Sequence, residues 1–185
     1  VVPRVNMNPT RIGIFKSLVE MGADLTFENK REEGGEPVAD IRAKYSPDLK
    51  GINIPENRAL SMIDEYPILA CVAACSQGMT KFFGISELRV KESDRIESMA
   101  AGLISCGVIV HVTEDSMEIS GKGPGSVIGG AICKSNLDHR VAMSFLCLGL
   151  ASKIKITVDD ARPIDTSFPI FEDLMKVVDI VQHRY

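Results

Sequence analysis

The sequence predicts an α/β (α+β) fold of repeated strand-helix-strand-helix-strand-strand units, with buried helices and the sheets packed outside them. An amphipathic helix, a glycine and an extended apolar run recur in that order. Two further helical segments are apolar around nearly their whole circumference, which is typical of helices inside a core. Because one unit of about 70 residues cannot cover its own apolar face, we expect the copies to pack together.

The amphipathic helices are predicted at 14–21 and 99–106, and each is followed by a glycine, Gly22 or Gly107. Glycine after a helix tolerates the left-handed backbone that ends it. Beyond each glycine the apolar period changes from 3.6 to 2, which indicates strands. These strands are expected at 23–27, 38–45, 108–112 and 116–120.

The buried helices are predicted at 63–77 and 138–152, and they lead into strands at 80–83 and 154–158. A third amphipathic helix, 169–178, departs from the pattern because Asp179 replaces the glycine. The resulting division is a partial copy at about 1–50, a complete copy at about 51–122 and a last copy at about 123–185.

Composition excludes several classes of partner. The chain has 185 residues, of which 45% are hydrophobic and 25% charged, as in soluble globular proteins. A net charge of -4 without a basic stripe argues against nucleic acid. No apolar run approaches the roughly 18 residues of a membrane span, so no membrane association is expected.

The five cysteines are odd in number and show no paired C-x-x-C spacing. They are therefore expected to be reduced core thiols of a cytoplasmic protein, with neither disulfides nor zinc. The chain opens on Val1 rather than Met, and we interpret it as a segment of a longer polypeptide.

The segment 89–95, Arg-Val-Lys-Glu-Ser-Asp-Arg, places three cations and two carboxylates around a helix start. Ser93 is expected to cap this helix, which puts Arg95 in the first turn, where the helix dipole disfavours a cation. An anion such as phosphate or carboxylate suits that position, and Lys91 is near enough to reach it. A solvated, salt-bridged helix start is the alternative.

Three other helix starts carry charge. Asp138 is expected to cap the second buried helix, so that His139 and Arg140 repeat the misplaced cation seen at Arg95. Asp64 follows Ser61 at capping-box spacing and could serve only as a cap. Arg11 is expected to form a surface salt bridge. We expect the remaining two histidines to be a strand residue, His111, and a tail residue, His183.

Six segments together closely resemble, in order, the C-terminal part of the EPSP synthase (3-phosphoshikimate 1-carboxyvinyltransferase) family, in its class II branch. The resemblance implies two similar domains in a protein more than twice this length, with the N-terminal domain absent here and 1–185 forming a fragment of the C-terminal domain. The segments are 7–11 (MNPTR), 34–36 (GGE), 61–67 (SMIDEYP), 88–95 (LRVKESDR), 137–143 (LDHRVAM) and 166–169 (TSFP).

The family's reaction moves the enolpyruvyl group of phosphoenolpyruvate onto the 5-hydroxyl of shikimate 3-phosphate, without a cofactor or metal. Two protons then travel in opposite directions, which requires a base and an acid. By resemblance, Asp64 accepts the hydroxyl proton and holds the shikimate ring, and Glu92 donates to the methylene carbon. The resemblance also assigns Lys91 to the shikimate phosphate, Arg95 and Arg140 to phosphoenolpyruvate, and a supporting role to His139.

Two positions depart from many class I members: Thr166 stands where they have Lys, and Glu87 where they have Asn, so neither is assigned to the site. The fragment alone is expected to be inactive, because half a site cannot turn over. One alternative is the related transferase acting on UDP-N-acetylglucosamine. The other is a non-catalytic anion-binding module of the same fold.

Overall fold

The computed structural model describes residues 1–182, so His183 lies outside the described part. The strands in this part of the chain are β1 Val2–Asn6, β2 Leu25–Glu33, β3 Glu36–Ala43, β4 Asn53–Ile54, β5 Gln77–Phe83, β6 Ile109–Val112, β7 Ser116–Lys122, β8 Ile132–Cys133 and β9 Thr157–Val158. Among these residues three separate sheets form the outer layer. The first has the order β1-β3-β2, all antiparallel, and the second has the order β4-β5-β7-β6. In the second sheet β4 pairs with β5 in parallel and the other pairs are antiparallel, whereas the third sheet is the parallel pair β8-β9.

Within residues 1–182, six α-helices connect these sheets and fill the space beneath them, with two short 3-10 helices at Glu56–Ser61 and Ser86–Val90. Gly22 and Gly107 follow the first and third helices with φ of +96° and +86°, as the sequence predicts. The helices are α1 Gly13–Glu20, α2 Tyr66–Cys75, α3 Arg95–Ser105, α4 His139–Ala151, α5 Arg162–Ser167 and α6 Phe171–Gln182. None of those between residues 1 and 182 combines the length and the apolar character that a membrane crossing requires.

The core lies around α2, which packs against α3, α4 and β7. Seven of its ten residues are buried, and Met117 and Ile119 of β7 cover it from the sheet. On the other side α4 contributes Val141, Phe145 and Leu148, all buried. The predicted fold class, buried helices with sheets outside, is confirmed.

One face of α4 is less covered than the sequence predicts. Leu146 and Leu150 are only partly buried, and they line a groove of about 460 Å³ shared with β9 and α6. The reason is the size of the third sheet, because β8 and β9 have two residues each and cannot cover a 13-residue helix.

Several element boundaries differ from the prediction. Helix α2 begins at Tyr66 rather than at residue 63, since Pro67 occupies the first turn, where proline is tolerated. Strand β5 starts three residues earlier than expected, and β9 is shorter than predicted. Helix α6 begins at Phe171, and the short helix α5 that precedes it was not predicted.

The contact between α3 and α4 is tightest at Gly102, where an added Cβ would overlap the ring of Phe145. The ring is fully buried, so it cannot move aside freely. We therefore expect Gly102→Ala to lower the free energy of unfolding by about 1–3 kcal/mol. Gly149→Ala is the matched control, because the nearest atom lies 3.6 Å from that added Cβ. In urea denaturation the control should be neutral or stabilising; equal losses in both variants would contradict the packing described.

Candidate functional site

Charged side chains from the starts of α2, α3 and α4 meet around the Asp64 carboxylate. Arg95 Nη1 lies 3.3 Å from Asp64 Oδ1, and Arg140 Nη2 lies 3.5 Å from Asp64 Oδ2. Arg140 Nη1 also donates to the Asp64 carbonyl oxygen at 3.2 Å. The Asp64 side chain is 24% exposed, so solvent reaches it. The two arginines singled out from the sequence thus face one partly open carboxylate.

Arg95 is an almost completely buried charge at the centre of the cluster, with 1% of its side chain exposed. Its Nε donates to Asp138 Oδ2 at 2.8 Å and its Nη2 to Glu92 Oε2 at 2.5 Å, in addition to the Asp64 contact. Burial lowers the pKa of this guanidinium, but the hydrogen bonds and charges of Asp138, Glu92 and Asp64 together outweigh burial, so the pKa is raised overall. The interior cation is therefore compensated by three carboxylates.

Asp138 joins this cluster to the start of α4. Its Oδ1 accepts from the backbone N-H groups of Arg140 and Val141, at 2.9 and 3.4 Å, and its Oδ2 accepts from Arg95 and Ser93. Burial raises the pKa of this carboxyl. Arg95 and the backbone donors lower the pKa by more than burial raises it, so the net shift is downward. The cap was predicted from the sequence, whereas the pairing with Arg95 was not.

Two predicted caps are wrong. Asp94, not Ser93, caps α3, because its Oδ1 accepts from the Glu97 N-H at 3.0 Å. Both residues are good caps, and Ser93 instead donates to Asp138 at 3.2 Å. The capping box of Ser61 and Asp64 does not form, since α2 starts after Glu65 and the Ser61 hydroxyl donates to the Arg58 carbonyl. The Asp64 side chain is thus directed to the arginines.

Neither the Lys91 nor the His139 side chain forms a hydrogen bond or ion pair with the described residues of this cluster. Lys91 pairs with the half-exposed Glu87, a residue that the sequence analysis left out of the site. His139 is the first residue of α4 and is half-buried, with no side-chain hydrogen bond to other described residues. The structure therefore brings together Asp64, Glu92, Arg95 and Arg140, but does not connect Lys91 or His139 to them.

The backbone before Asp138 is strained. Asn136 and Leu137 have φ of +51° and +59°, a left-handed conformation that costs a leucine about 1–2 kcal/mol. Asn136 Nδ2 is held by Ser98 Oγ of α3 at 2.8 Å, and Leu137 is 67% exposed. This tight turn directs Asp138 toward both Arg95 and the first N-H groups of α4.

Glu65 and Arg11 complete the cluster, and sequence reasoning missed both as site residues. Arg11 Nη2 donates to Asp64 Oδ2 at 3.4 Å and to Glu65 Oε1 at 3.2 Å. Glu65 Oε2 is buried and has no hydrogen-bond partner among the described residues. Burial raises the pKa of the Glu65 carboxyl. The predicted surface salt bridge of Arg11 is present, but its partner is the central carboxylate.

Arg95 can bind an anion only after one of its carboxylate partners moves. Arg95 is fully engaged by carboxylates, whereas Arg140 is 32% exposed and Glu92 is 50% exposed. Movement of Glu92 would open one edge of the Arg95 guanidinium beside Arg140. Within residues 1–182, no cluster of three or more His, Cys, Asp or Glu side chains is arranged to hold a metal ion.

The family model described as EPSP synthase (3-phosphoshikimate 1-carboxyvinyltransferase) matches residues 1–175. The chain belongs to the EPSP synthase family.

Individual relatives agree with the family assignment. The chain is 60% identical over 174 residues to a 3-phosphoshikimate 1-carboxyvinyltransferase of Dinoroseobacter shibae, covering 94% of this chain and 39% of the relative. A protein of the same name from Jannaschia sp. is 61% identical over 175 residues, 95% of this chain and 39% of its own. A solved structure of EPSP synthase from Acinetobacter baumannii superposes with a TM-score of 0.89 at 47% identity, covering 93% of this chain and 40% of that one. This chain thus spans about two fifths of the length of these relatives.

Asp138 should contribute more to stability than any exposed carboxylate. Asp138→Ala removes the α4 cap and leaves Arg95 buried with one partner fewer, so we expect a loss of about 3–5 kcal/mol in the free energy of unfolding. Asp173→Ala is the control, since that side chain is 79% exposed in a surface pair with Lys176. Urea denaturation should place the control within about 0.5 kcal/mol of wild type; similar losses in both would refute the assigned role.

The depressed pKa of Asp138 predicts a particular acid sensitivity. A carboxyl whose folded pKa lies below its unfolded value stabilises the fold above the unfolded pKa, and that stability is lost as the pH falls through the folded value. Asp138→Asn should therefore be less stable than wild type at pH 7 but lose less stability between pH 5 and about pH 2. If the curves of unfolding free energy against pH ran parallel for wild type and Asp138→Asn, the Asp138 charge would not be the source of this acid sensitivity.

Proposed function

We propose that the protein to which this chain belongs transfers the enolpyruvyl group of phosphoenolpyruvate to the 5-hydroxyl of shikimate 3-phosphate, giving 5-enolpyruvylshikimate 3-phosphate and phosphate. The observation that carries the proposal is the convergence of Arg95 and Arg140 on the partly open Asp64 in a chain of this family. Two anionic substrates can approach one another only where cations offset their repulsion.

In this proposal the two proton transfers are divided between Asp64 and Glu92. Asp64 accepts the proton of the 5-hydroxyl and holds the shikimate ring, and Glu92 donates a proton to the methylene carbon. Support comes from Arg95, which holds Asp64 on Nη1 and Glu92 on Nη2. In the structure this guanidinium bonds to the two carboxylates through different nitrogens, so the proposed base and acid are separate groups, as two opposite proton transfers require.

The cations bind the substrates' anionic groups. Arg95 and Arg140 take phosphoenolpyruvate, Lys91 takes the shikimate phosphate, and His139 supports the edge of the site. In the structure Lys91 is paired with Glu87, and Arg95 with Glu92, and both of these glutamates are half exposed. Such exposed carboxylates are the groups that an incoming phosphate can displace at least cost.

The chain supplies only part of this site. We infer that 1–185 is most of a C-terminal domain and that an N-terminal domain, absent here, provides the remaining substrate ligands, since the chain covers 39% of its relatives. The partners proposed are this domain and the two substrates, in the cytoplasm, and neither cofactor nor metal is required. The isolated chain should therefore show no transferase activity.

Titration with shikimate 3-phosphate tests the proposal on the chain itself. Followed by NMR, wild type should bind weakly, and Asp64→Ala and Lys91→Ala should each lower the affinity about tenfold or more, because in this proposal Asp64 holds the shikimate ring and Lys91 binds its phosphate. Arg162→Ala, in a side chain that is 87% exposed, is the control and should bind as wild type does.

Three outcomes would contradict this reading. No response to shikimate 3-phosphate would indicate a non-catalytic module, and saturable binding of UDP-N-acetylglucosamine in its place would indicate the related transferase. Phosphoenolpyruvate-dependent turnover by the purified chain would refute the need for a second domain.

A further inference from the structure

Arg11 reaches the centre of the site from an unexpected element, the connection between β1 and α1. Its backbone is fixed by a turn in which the Arg11 N-H donates to the Asn8 carbonyl at 2.8 Å and Thr10 bonds to Asn8 Oδ1 through both its N-H and its hydroxyl. The side chain is 53% exposed, yet its Nη2 contacts both Asp64 and Glu65. A backbone fixed by this turn and two neighbouring carboxylate partners distinguish Arg11 from an ordinary surface cation.

The repeated architecture gives this placement a structural reason. In the first sheet α1 follows β1 and the strand order is β1-β3-β2; in the second α3 follows β5 and the order is β5-β7-β6. Helix α1 is thus the counterpart of α3. Arg11 lies just before α1 and Arg95 is the first residue of α3, and the two contact opposite oxygens of Asp64, Oδ2 and Oδ1.

Glu65 provides a second and independent observation. Its Oε1 accepts from Arg11, while its Oε2 is buried without a partner in the described part of the chain. Neighbouring carboxylates on Asp64 and Glu65 repel one another unless a cation lies between them. Among the described residues, Arg11 is the side chain that bonds to both.

We propose that Arg11 is a positioning residue of this site: it bridges the Asp64 and Glu65 carboxylates and so holds Asp64 facing Arg95 and Arg140. The part of this inference that concerns substrate rests on the proposed function, because there Asp64 is the group that binds the shikimate ring. Arg11 itself acts through Asp64 and need not touch substrate.

A measurement without ligand tests the bridge first. The Glu65 carboxyl is followed by carbon-detected NMR through a pH titration in wild type, Arg11→Ala, Arg11→Lys and Arg4→Ala. Arg4 is the matched control, since it pairs with Glu33 on the first sheet at 3.2 Å. The groups acting on Glu65 are Arg11 and Arg140, which lower its pKa, and Asp64, which raises it together with burial.

Loss of the Arg11 cation should move the Glu65 midpoint to higher pH, Arg11→Lys should restore part of the difference, and Arg4→Ala should leave it unchanged. Far-ultraviolet circular dichroism verifies that each variant is folded. An unchanged Glu65 midpoint in folded Arg11→Ala would overturn the proposal.

A second measurement tests the consequence for Asp64. Arg11→Ala should weaken binding of shikimate 3-phosphate to the chain about threefold to tenfold. Arg11→Lys should restore part of the affinity, and Arg4→Ala should bind as wild type does. Wild-type affinity in Arg11→Ala would overturn the positioning role while leaving the proposed function intact. If wild type does not bind this ligand but the Glu65 midpoint moves, the proposed function fails and the carboxylate bridge stands.

Discussion

The buried guanidinium of Arg95 is the constraint on which the site depends. A charge that is 99% removed from solvent must be paired, and its partners Asp64, Glu92 and Asp138 come from three separate parts of the chain. Pairing therefore fixes the starts of α2, α3 and α4 relative to one another. Because Asp138 also caps α4, the same carboxylate couples helix formation to the geometry around Asp64.

The charged cluster is located where the repeats place their helix starts. A cation at a helix N-terminus is unfavourable, so Arg95 and Arg140 require nearby negative charge. That charge comes from Asp64, Glu92 and Asp138. In the proposed reaction the anionic groups of the substrates replace part of it, and the exposed Glu92 is the partner most easily exchanged.

Local patterns in the sequence predicted the fold class, since glycine-ended helices and all-apolar helices follow from short-range periodicity. They also indicated Arg95 and Arg140, whose position at helix starts is itself anomalous. Contacts between distant segments were not predictable in this way: Arg95 and Asp138 are 43 residues apart, and Arg11 and Asp64 are 53 apart. The prediction that Ser93 caps α3 was wrong because the adjacent Asp94 is an equally good cap, and only packing decides between the two residues.

A double-mutant cycle between Arg95 and Asp138 tests most directly whether one buried charge organises the site. Arg95→Met and Asp138→Asn are made singly and together, and the free energy of unfolding is measured for all four proteins. Mutual dependence predicts that the double variant loses less than the sum of the single losses, by about 2 kcal/mol or more. Additive losses would show that the two residues act independently and would contradict this explanation of the site.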